Sequence, residues 1–151
     1  LLLLNVPPNR DGLLSEPDMM SLKSFRQILD ESFKTNRVAK NPKLTDKQLS
    51  TFVPLAATQP LTIDLDAEQT FDRIMIQENI ANGQRIVAGR VDVWSGTDWQ
   101  PLQSFATVGY KRLLRFPAIR ASRIRLTVTN ANGPVQLAEV GVYRASEQEG
   151  K

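Results

Sequence analysis

The spacing of hydrophobic residues changes along the chain, and this change divides the chain into two parts. In the first 36 residues, apolar side chains recur every three or four positions, which predicts an amphipathic helix with a face formed by Leu22, Phe25, Leu29 and Phe33. Ser15 and Asp18 form the pattern of a helix start, and Pro17 suits the first turn. Such a helix needs a partner surface to cover its apolar face.

The residues before this helix read as a buried strand. LLLLNV (1–6) is a continuous apolar run, which is typical of a strand covered on both faces, as in a parallel sheet or a barrel. Pro7 and Pro8 end the run because proline cannot donate a hydrogen bond to a neighbouring strand. The first part of the chain is therefore expected to be one strand, one loop and one helix of a larger structure.

From about residue 60 onwards, apolar and polar residues alternate. This period of two predicts seven short strands, at 60–65, 71–78, 89–96, 99–105, 111–117, 122–129 and 135–144. Strands of this length and spacing favour a mainly β fold, an antiparallel β-sandwich. The expected inward-facing residues are Ile74, Ile76, Val91, Val93, Ile124, Leu126, Val128, Val140 and Val142. The polar segment 37–59 is expected to be an irregular connector.

The composition narrows the available chemistry. The 151 residues suffice for one domain with a core, or for one domain plus a remnant of another. The chain has neither cysteine nor histidine, so thiol or imidazole metal sites and Ser-His-Asp or Cys-His catalysis are excluded. The net charge of +3 is too small to indicate nucleic-acid binding, and no apolar run is long enough to span a membrane. We therefore expect neither nucleic acid nor membrane as a partner.

The opening sequence LLLLNVPPNRDGLLSEPDMMSLKSF resembles the last strand and last helix of the catalytic (β/α)8 barrel in family 29 glycoside hydrolases, the α-L-fucosidases. The later sequences ENIANGQRI (78–86), VGYKRLLRFP (108–117) and LAEVGVY (137–143) resemble the C-terminal β-sandwich of bacterial members. That module belongs to the discoidin, or coagulation-factor type C, superfamily of galactose-binding-like domains of jelly-roll type. The resemblance implies a barrel remnant at 1–36, a sandwich at 37–145 and a flexible tail at 146–151.

The resemblance also implies a function for the parent protein. Family 29 enzymes hydrolyse terminal α-L-fucose with retention, using carboxyl groups that lie upstream of the matching segment, so no catalytic residue is expected here. The chain would support the catalytic barrel, its main partner, and would be inactive alone. Fucosylated or galactosyl glycans are the implied ligands, and periplasmic or extracellular localisation is implied as well. Two alternatives are an autonomous carbohydrate-binding module and a discoidin domain that binds protein or lipid.

No cofactor is expected, and a structural calcium ion is the one candidate that the resemblance suggests. LTDKQLSTF (44–52) resembles the early turn of these modules, in which an Asp, a Thr and a late Glu hold calcium, and the matching residues are Asp46, Thr51 and Glu139. Lys47 and Gln48 replace the usual glycine and acid, which weakens the match. Without calcium, Asp46 and Thr51 would cap a turn, and Glu139 would pair with an arginine such as Arg123 or Arg125.

Eight further residues are candidates for binding carbohydrate or for docking onto the barrel. The loop at 78–85 and the basic hairpin after it contribute most of them, and an aromatic residue expected on the outer sheet face adds one: Glu78, Asn79, Gln84, Arg85, Trp94, Tyr110, Lys111 and Arg112. Aromatic faces stack on sugar rings, and arginine or amide groups bind hydroxyls. The uncovered apolar surface of residues 1–36 also predicts possible self-association.

Overall fold

The computed structural model describes residues 5–146. Within this range the chain forms one helix and six strands. Helix α1 spans Glu16–Phe33, as the sequence predicts, and Ser15 caps its start. The Ser15 hydroxyl accepts a hydrogen bond from the Asp18 backbone at 3.3 Å and donates one to the Asp18 carboxylate at 2.6 Å. Leu1–Leu4, which make up most of the expected buried strand, lie outside the described residues.

The described residues fall into two compact units. The first contains residues 5–34, including α1, together with 145–146, and the second contains Thr35–Arg144. In the first unit, Ser32 is buried and its hydroxyl accepts a hydrogen bond from the Ser146 backbone at 2.9 Å. The second unit contains all six strands.

The strands are antiparallel and follow the spatial order β1-β6-β2-β5-β3-β4. Their bounds are Val53–Leu55 (β1), Pro60–Glu78 (β2), Ile86–Trp94 (β3), Trp99–Phe105 (β4), Arg112–Ala131 (β5) and Val135–Tyr143 (β6).

Two long strands form the sandwich by contributing to both of its layers. The first half of β2 (60–64) pairs with the second half of β5 (123–127), and the second half of β2 (73–76) pairs with the start of β5 (112–115). Register shifts interrupt this pairing between Asp64 and Gln69 and between Phe71 and Arg73. One layer therefore contains β1, β6 and one end of the β2–β5 pair, and the other contains β3, β4 and the opposite end.

The expected sandwich is confirmed, but the expected number of strands is wrong. Four of the seven predicted strands are halves of β2 and β5, because the backbone continues through each bend without leaving the sheet. Strand β1 lies inside the segment that was expected to be an irregular connector. Apolar and polar residues alternate on both sides of a bulge, but the alternation is interrupted at the bulge itself. The sequence pattern therefore predicts two short strands where the structure has one long strand.

The alternation does identify the core. Every residue that was expected to face inward is buried, except Val93, which is partly buried and packs against the same cluster. Residues from both layers form one hydrophobic cluster. Phe71 lies within it, and its ring meets that of Phe116 edge to face, with 5.9 Å between ring centroids.

The connector before β1 completes the edge of the sheet. The Asn36 side chain binds the β6 backbone, donating to the Val140 carbonyl at 3.1 Å and accepting from the Val142 N–H at 2.9 Å. Val38 forms an isolated bridge with Leu65, and Leu44 is buried. These contacts satisfy backbone groups that would otherwise be unpaired at the sheet edge.

Candidate functional site

Glu78 organises the loop that the sequence analysis singled out. It ends β2 and is only 1% exposed. One carboxylate oxygen accepts hydrogen bonds from the backbone N–H groups of Arg85 and Ile86 at 3.0 and 2.9 Å, and the other accepts from Gly109 at 2.8 Å. A carboxylate with three N–H donors is well satisfied. Glu78 therefore ties the loop 79–85 to the loop before β5, and its buried carboxylate binds backbone groups of both loops.

Arg85 joins the same loop to the β5–β6 turn. Its guanidinium donates to the carbonyl of Asn82 at 2.7 Å and to the carbonyl of Asn132 at 3.2 Å. Its own carbonyl accepts from the Asn132 N–H at 2.8 Å. The guanidinium is thus held by backbone groups of two loops, and it lines a small concavity between them.

Asn79 is fixed in this concavity by a partner that the sequence analysis missed. The Asn79 amide nitrogen donates to the side-chain oxygen of Gln136 at 3.0 Å, while the Asn79 side-chain oxygen accepts from Ala81 at 3.1 Å. The Asn79 backbone N–H donates to the Gln136 carbonyl at 2.9 Å. Gln136 lies on β6, 57 positions away in sequence, so no local pattern could have paired the two residues.

The remaining residues of the predicted group lie around the neighbouring loop. Gly109 has a φ of 61°, and a side chain at this position would collide with the Gln84 side-chain oxygen, 2.8 Å from the Cβ position. Tyr110 follows it and is 57% exposed, with the Lys111 ammonium 5.9 Å from its ring centroid. Arg112 begins β5 and is half-buried. The structure therefore places seven of the eight predicted residues on two loops joined by Glu78 or at their edges.

Trp94 lies elsewhere. It ends β3, nine residues after Arg85, which corresponds to roughly 30 Å along an extended strand. Its ring meets that of Trp99 edge to face at 5.4 Å, and the Arg123 guanidinium lies 5.3 Å from the Trp94 ring centroid. Arg125 lies over Trp99 at 4.6 Å. Because neighbouring side chains occupy these aromatic rings, Trp94 belongs to a packed outer-face cluster that is separate from the loops.

The three residues of the predicted calcium site do come together. The Thr51 hydroxyl donates to the Asp46 carboxylate, whose other oxygen accepts from the Gln48 N–H at 2.9 Å. Glu139 is buried and accepts a hydrogen bond from the Lys47 backbone N–H. Lys47 adopts a φ of 64°, a left-handed conformation that is uncommon for a residue other than glycine. The expected pairing of Glu139 with Arg123 or Arg125 is wrong, because these arginines pair with aspartates.

Most carboxylate oxygens in this arrangement already accept hydrogen bonds from protein donors. Calcium takes six to eight oxygen ligands, but protein donors already occupy both Asp46 oxygens and one oxygen of Glu139. Burial raises the pKa of Glu139, whereas the Thr51 hydroxyl lowers the pKa of Asp46. No group of three acidic residues that could hold a metal is found in the part of the chain that the structure describes.

No described helix is long and apolar enough to cross a membrane.

The family of the sandwich follows from a direct match. The family model described as the F5/8 type C domain matches residues 32–140. The chain belongs to this family. The matched range covers all six strands except the end of β6, and it includes Asn36, the turn at 46–51 and the loop at 79–85.

The relatives of this F5/8 type C chain include α-L-fucosidases. Alpha-L-fucosidase 1 of Arabidopsis thaliana is 30% identical over 166 aligned positions, which cover 95% of this chain and 33% of the relative. The chain spans about a third of the length of the curated relatives it matches. A GH29 fucosidase of Ruminococcus gnavus, solved in complex with fucose, is 29% identical with a TM-score of 0.84, covering 99% of this chain and 34% of that one.

A second kind of structural neighbour shows the fold alone. CBM32-1 from a family 31 glycoside hydrolase of Clostridium perfringens is 15% identical, with a TM-score of 0.61, covering 76% of this chain and 97% of its own. It confirms the discoidin-like sandwich. The resemblance to family 29 enzymes is confirmed by the fucosidase relatives and structures.

Proposed function

We propose that this chain is the accessory β-sandwich portion of an α-L-fucosidase, which removes terminal α-L-fucose from glycans with retention of configuration. The supporting observation is the extent of the similarity. The Ruminococcus gnavus fucosidase matches 99% of the chain, so both the unit containing α1 and the sandwich have counterparts in it. CBM32-1, a module from a family 31 glycoside hydrolase, matches only 76% of the chain. If the parent protein is a fucosidase, the presence of both units in this chain is explained. A sugar-binding module alone would explain only the sandwich.

In this proposal the chain supports the catalytic barrel and does not carry out the reaction. Retaining hydrolysis needs two carboxyl groups about 5–5.5 Å apart, one as nucleophile and one as acid and base. We place this pair in the two thirds of the fucosidase relatives that the chain does not match. Residues 5–34 would belong to the barrel, and Thr35–Arg144 would form the accessory sandwich. Periplasmic or extracellular localisation fits an enzyme that acts on glycans.

The two loops joined by Glu78 are the proposed contact region. Their backbone is held by buried hydrogen bonds, so their exposed side chains are presented in a fixed arrangement. Tyr110 and Lys111 offer an apolar ring beside a positive charge at this end of the sandwich. Such a surface suits docking onto the barrel near its pocket, or contact with the glycan that enters it.

The test compares the full parent polypeptide with a version that ends after residue 34. We expect the truncated enzyme to lose most fucose release from an aryl α-L-fucoside and to unfold at a lower temperature. The 151-residue chain should release no fucose under the same conditions. Full activity and an unchanged Tm in the truncated enzyme would overturn the supporting role, and turnover by the purified chain would overturn the placement of the catalytic pair.

The exposed apolar residues of the first unit give a further test on the chain alone. Met20 and Phe25 lie on α1 and are exposed. If they normally face the barrel, the separate chain should self-associate as its concentration rises. Sedimentation velocity should show this association, and Phe25→Glu should abolish it, whereas Lys23→Glu on the same helix should not. A chain that stays monomeric at every concentration would contradict this expectation.

A further inference from the structure

The concavity between the 79–85 loop and the β5–β6 turn contains an arginine and no acidic side chain. Its volume is about 120 Å³, and it is lined by Asn79, Asn82, Gly83, Arg85, Pro134 and Gln136. None of these residues is acidic. Pockets that enclose a whole small molecule measure about 300–1,000 Å³, so this one would receive a single group of a larger ligand.

The orientation of the amides in this pocket follows from their partners. The Asn79 oxygen accepts from the Ala81 N–H, so its nitrogen must point to Gln136. The Gln136 oxygen accepts that bond, which leaves the two N–H groups of the Gln136 amide without a role in it. The Ala81 N–H therefore determines which end of each amide is the oxygen and which is the nitrogen.

The Arg85 guanidinium is also held by backbone acceptors. The carbonyls of Asn82 and Asn132 accept from the two terminal nitrogens of the guanidinium, and each of these nitrogens has a second hydrogen. Within residues 5–146, no carboxylate side chain forms an ion pair with Arg85, because the nearby Glu78 carboxylate binds backbone N–H groups and is buried. The pocket therefore contains the positive charge of Arg85, further N–H donors on Arg85 and Gln136, and no acidic side chain.

We infer that this pocket binds a carboxylate, and specifically the carboxylate of an acidic sugar such as a uronic acid. Arginine presents two parallel N–H groups that match the two oxygens of a carboxylate, and the Gln136 amide adds a donor beside them. The choice of a sugar rests on the proposed function, since an accessory module of a glycan-degrading enzyme meets glycans. A neutral sugar has no charge to match that of Arg85, whereas the pocket lining contains no acidic residue that would repel a carboxylate.

The test is a titration of the ¹⁵N-labelled chain followed by backbone amide shifts. D-Galacturonate is the probe, D-galactose is its neutral match, and acetate is the minimal carboxylate. We expect galacturonate to shift the amides of residues 79–85 and 132–136 in a saturable way, with a dissociation constant in the millimolar range, roughly −4 kcal/mol of binding. Galactose should bind at least about tenfold more weakly, the loss of one charged contact.

Two variants and one control test the role of the named residues. Arg85→Gln should weaken galacturonate binding about tenfold or more. Because Arg85 also joins two loops, Gln136→Leu provides a second variant, which removes a donor while keeping a similar volume and should weaken binding about threefold or more. Arg120→Gln removes the same charge from an exposed arginine that pairs with Glu68, and it should leave binding unchanged.

Several outcomes would overturn the assignment. The first is the absence of any saturable shift at galacturonate concentrations up to roughly 50 mM, which would exclude even weak binding. The second is galactose binding as tightly as galacturonate. The third is an acidic peptide that binds about tenfold more tightly than galacturonate at the same amides, which would identify a protein carboxylate as the ligand. None of these results depends on fucose release, so a failure here is distinguishable from a failure of the proposed fucosidase role.

Discussion

The sandwich and the first unit differ in how they cover their apolar side chains. In the sandwich, Phe71, Ile74 and Ile124 are at most 1% exposed, and the two layers share one core. In the first unit, Leu13 and Met20 are about two-thirds exposed. The sandwich thus obtains its stability from its own residues, while the helix presents apolar surface that needs cover from elsewhere. This contrast supports the proposal that the two units belong to different parts of an α-L-fucosidase.

The helix is held in its described form by local interactions. Its cap at Ser15 is of the kind that contributes about 1 kcal/mol. The ion pair between Arg26 and Asp30, 2.8 Å apart, is exposed and contributes little. Most of the stability of a helix in a protein comes from packing of its apolar face and not from such local interactions. Perturbing each unit separately should therefore produce effects of very different size.

The largest difference is expected between two phenylalanines. Phe71→Ala removes a fully buried ring and should lower the free energy of unfolding by about 3–5 kcal/mol. Phe25→Ala, on the exposed side of α1, should change it by less than about 1 kcal/mol. Urea unfolding followed by far-UV circular dichroism measures both, since the signal reports the helix as well as the strands. Equal losses in the two variants would remove the contrast between the units.

A smaller but still large effect is expected at Glu78. Glu78→Gln keeps the side-chain shape but removes an acceptor from the three backbone N–H groups, and it should cost about 2–3 kcal/mol. Faster amide exchange at Arg85, Ile86 and Gly109 should accompany this loss. Glu68→Gln is the matched control, because Glu68 is exposed and pairs with the exposed Arg120. A Glu78 variant as stable as the Glu68 variant would show that the loops are held by other contacts.

A local effect is expected at the helix start. Ser15→Ala removes the cap and should destabilise the first turn of α1 by about 1 kcal/mol, with no change in the unfolding of the sandwich. Hydrogen exchange at the first turn, measured beside the urea transition, separates the two effects. Ser21→Ala within the same helix removes only a hydroxyl that binds the Pro17 carbonyl, so its first turn should exchange as before. A lower urea midpoint for Ser15→Ala would mean that the two units unfold together.

The smallest effect is expected from calcium. Because protein donors occupy the Asp46 and Glu139 oxygens, millimolar calcium should shift the Tm of the chain by less than about 1 °C relative to a chelator. Magnesium serves as the control for general ionic effects. A calcium-specific increase of about 4 °C or more, which corresponds to roughly 1 kcal/mol, would show that the sandwich depends on an ion as well as on its own residues.

Much of the fold could be predicted from the sequence because local periodicity reports burial. The bounds of α1, its cap at Ser15 and the inward-facing residues of the strands all follow from spacing and side-chain chemistry. The number of strands could not be predicted, because a strand that bends through a bulge resembles two strands in the pattern. Strand β1 has only three residues, too few for a period to show.

The candidate site was predicted only in outline. The sequence drew attention to the 78–85 loop but could not show that Glu78 is buried beneath it. The sequence also could not show that Trp94 is far from Arg85. The extended strand β3 lies between them and separates the two residues. Asn36 was missed because its partners are more than 100 positions away in the chain.

The sequence by itself determined the two periodicities of this chain, its helix start, its core positions and its likeness to a fucosidase accessory domain, because these depend on neighbouring residues. Only the tertiary structure decided which polar groups meet. The burial of Glu78 under two loops, the pairing of Asn79 with Gln136 and the hydrogen bond from Lys47 to Glu139 all join distant segments. A buried polar group must find a partner wherever the fold provides one, so its role is decided by the three-dimensional arrangement.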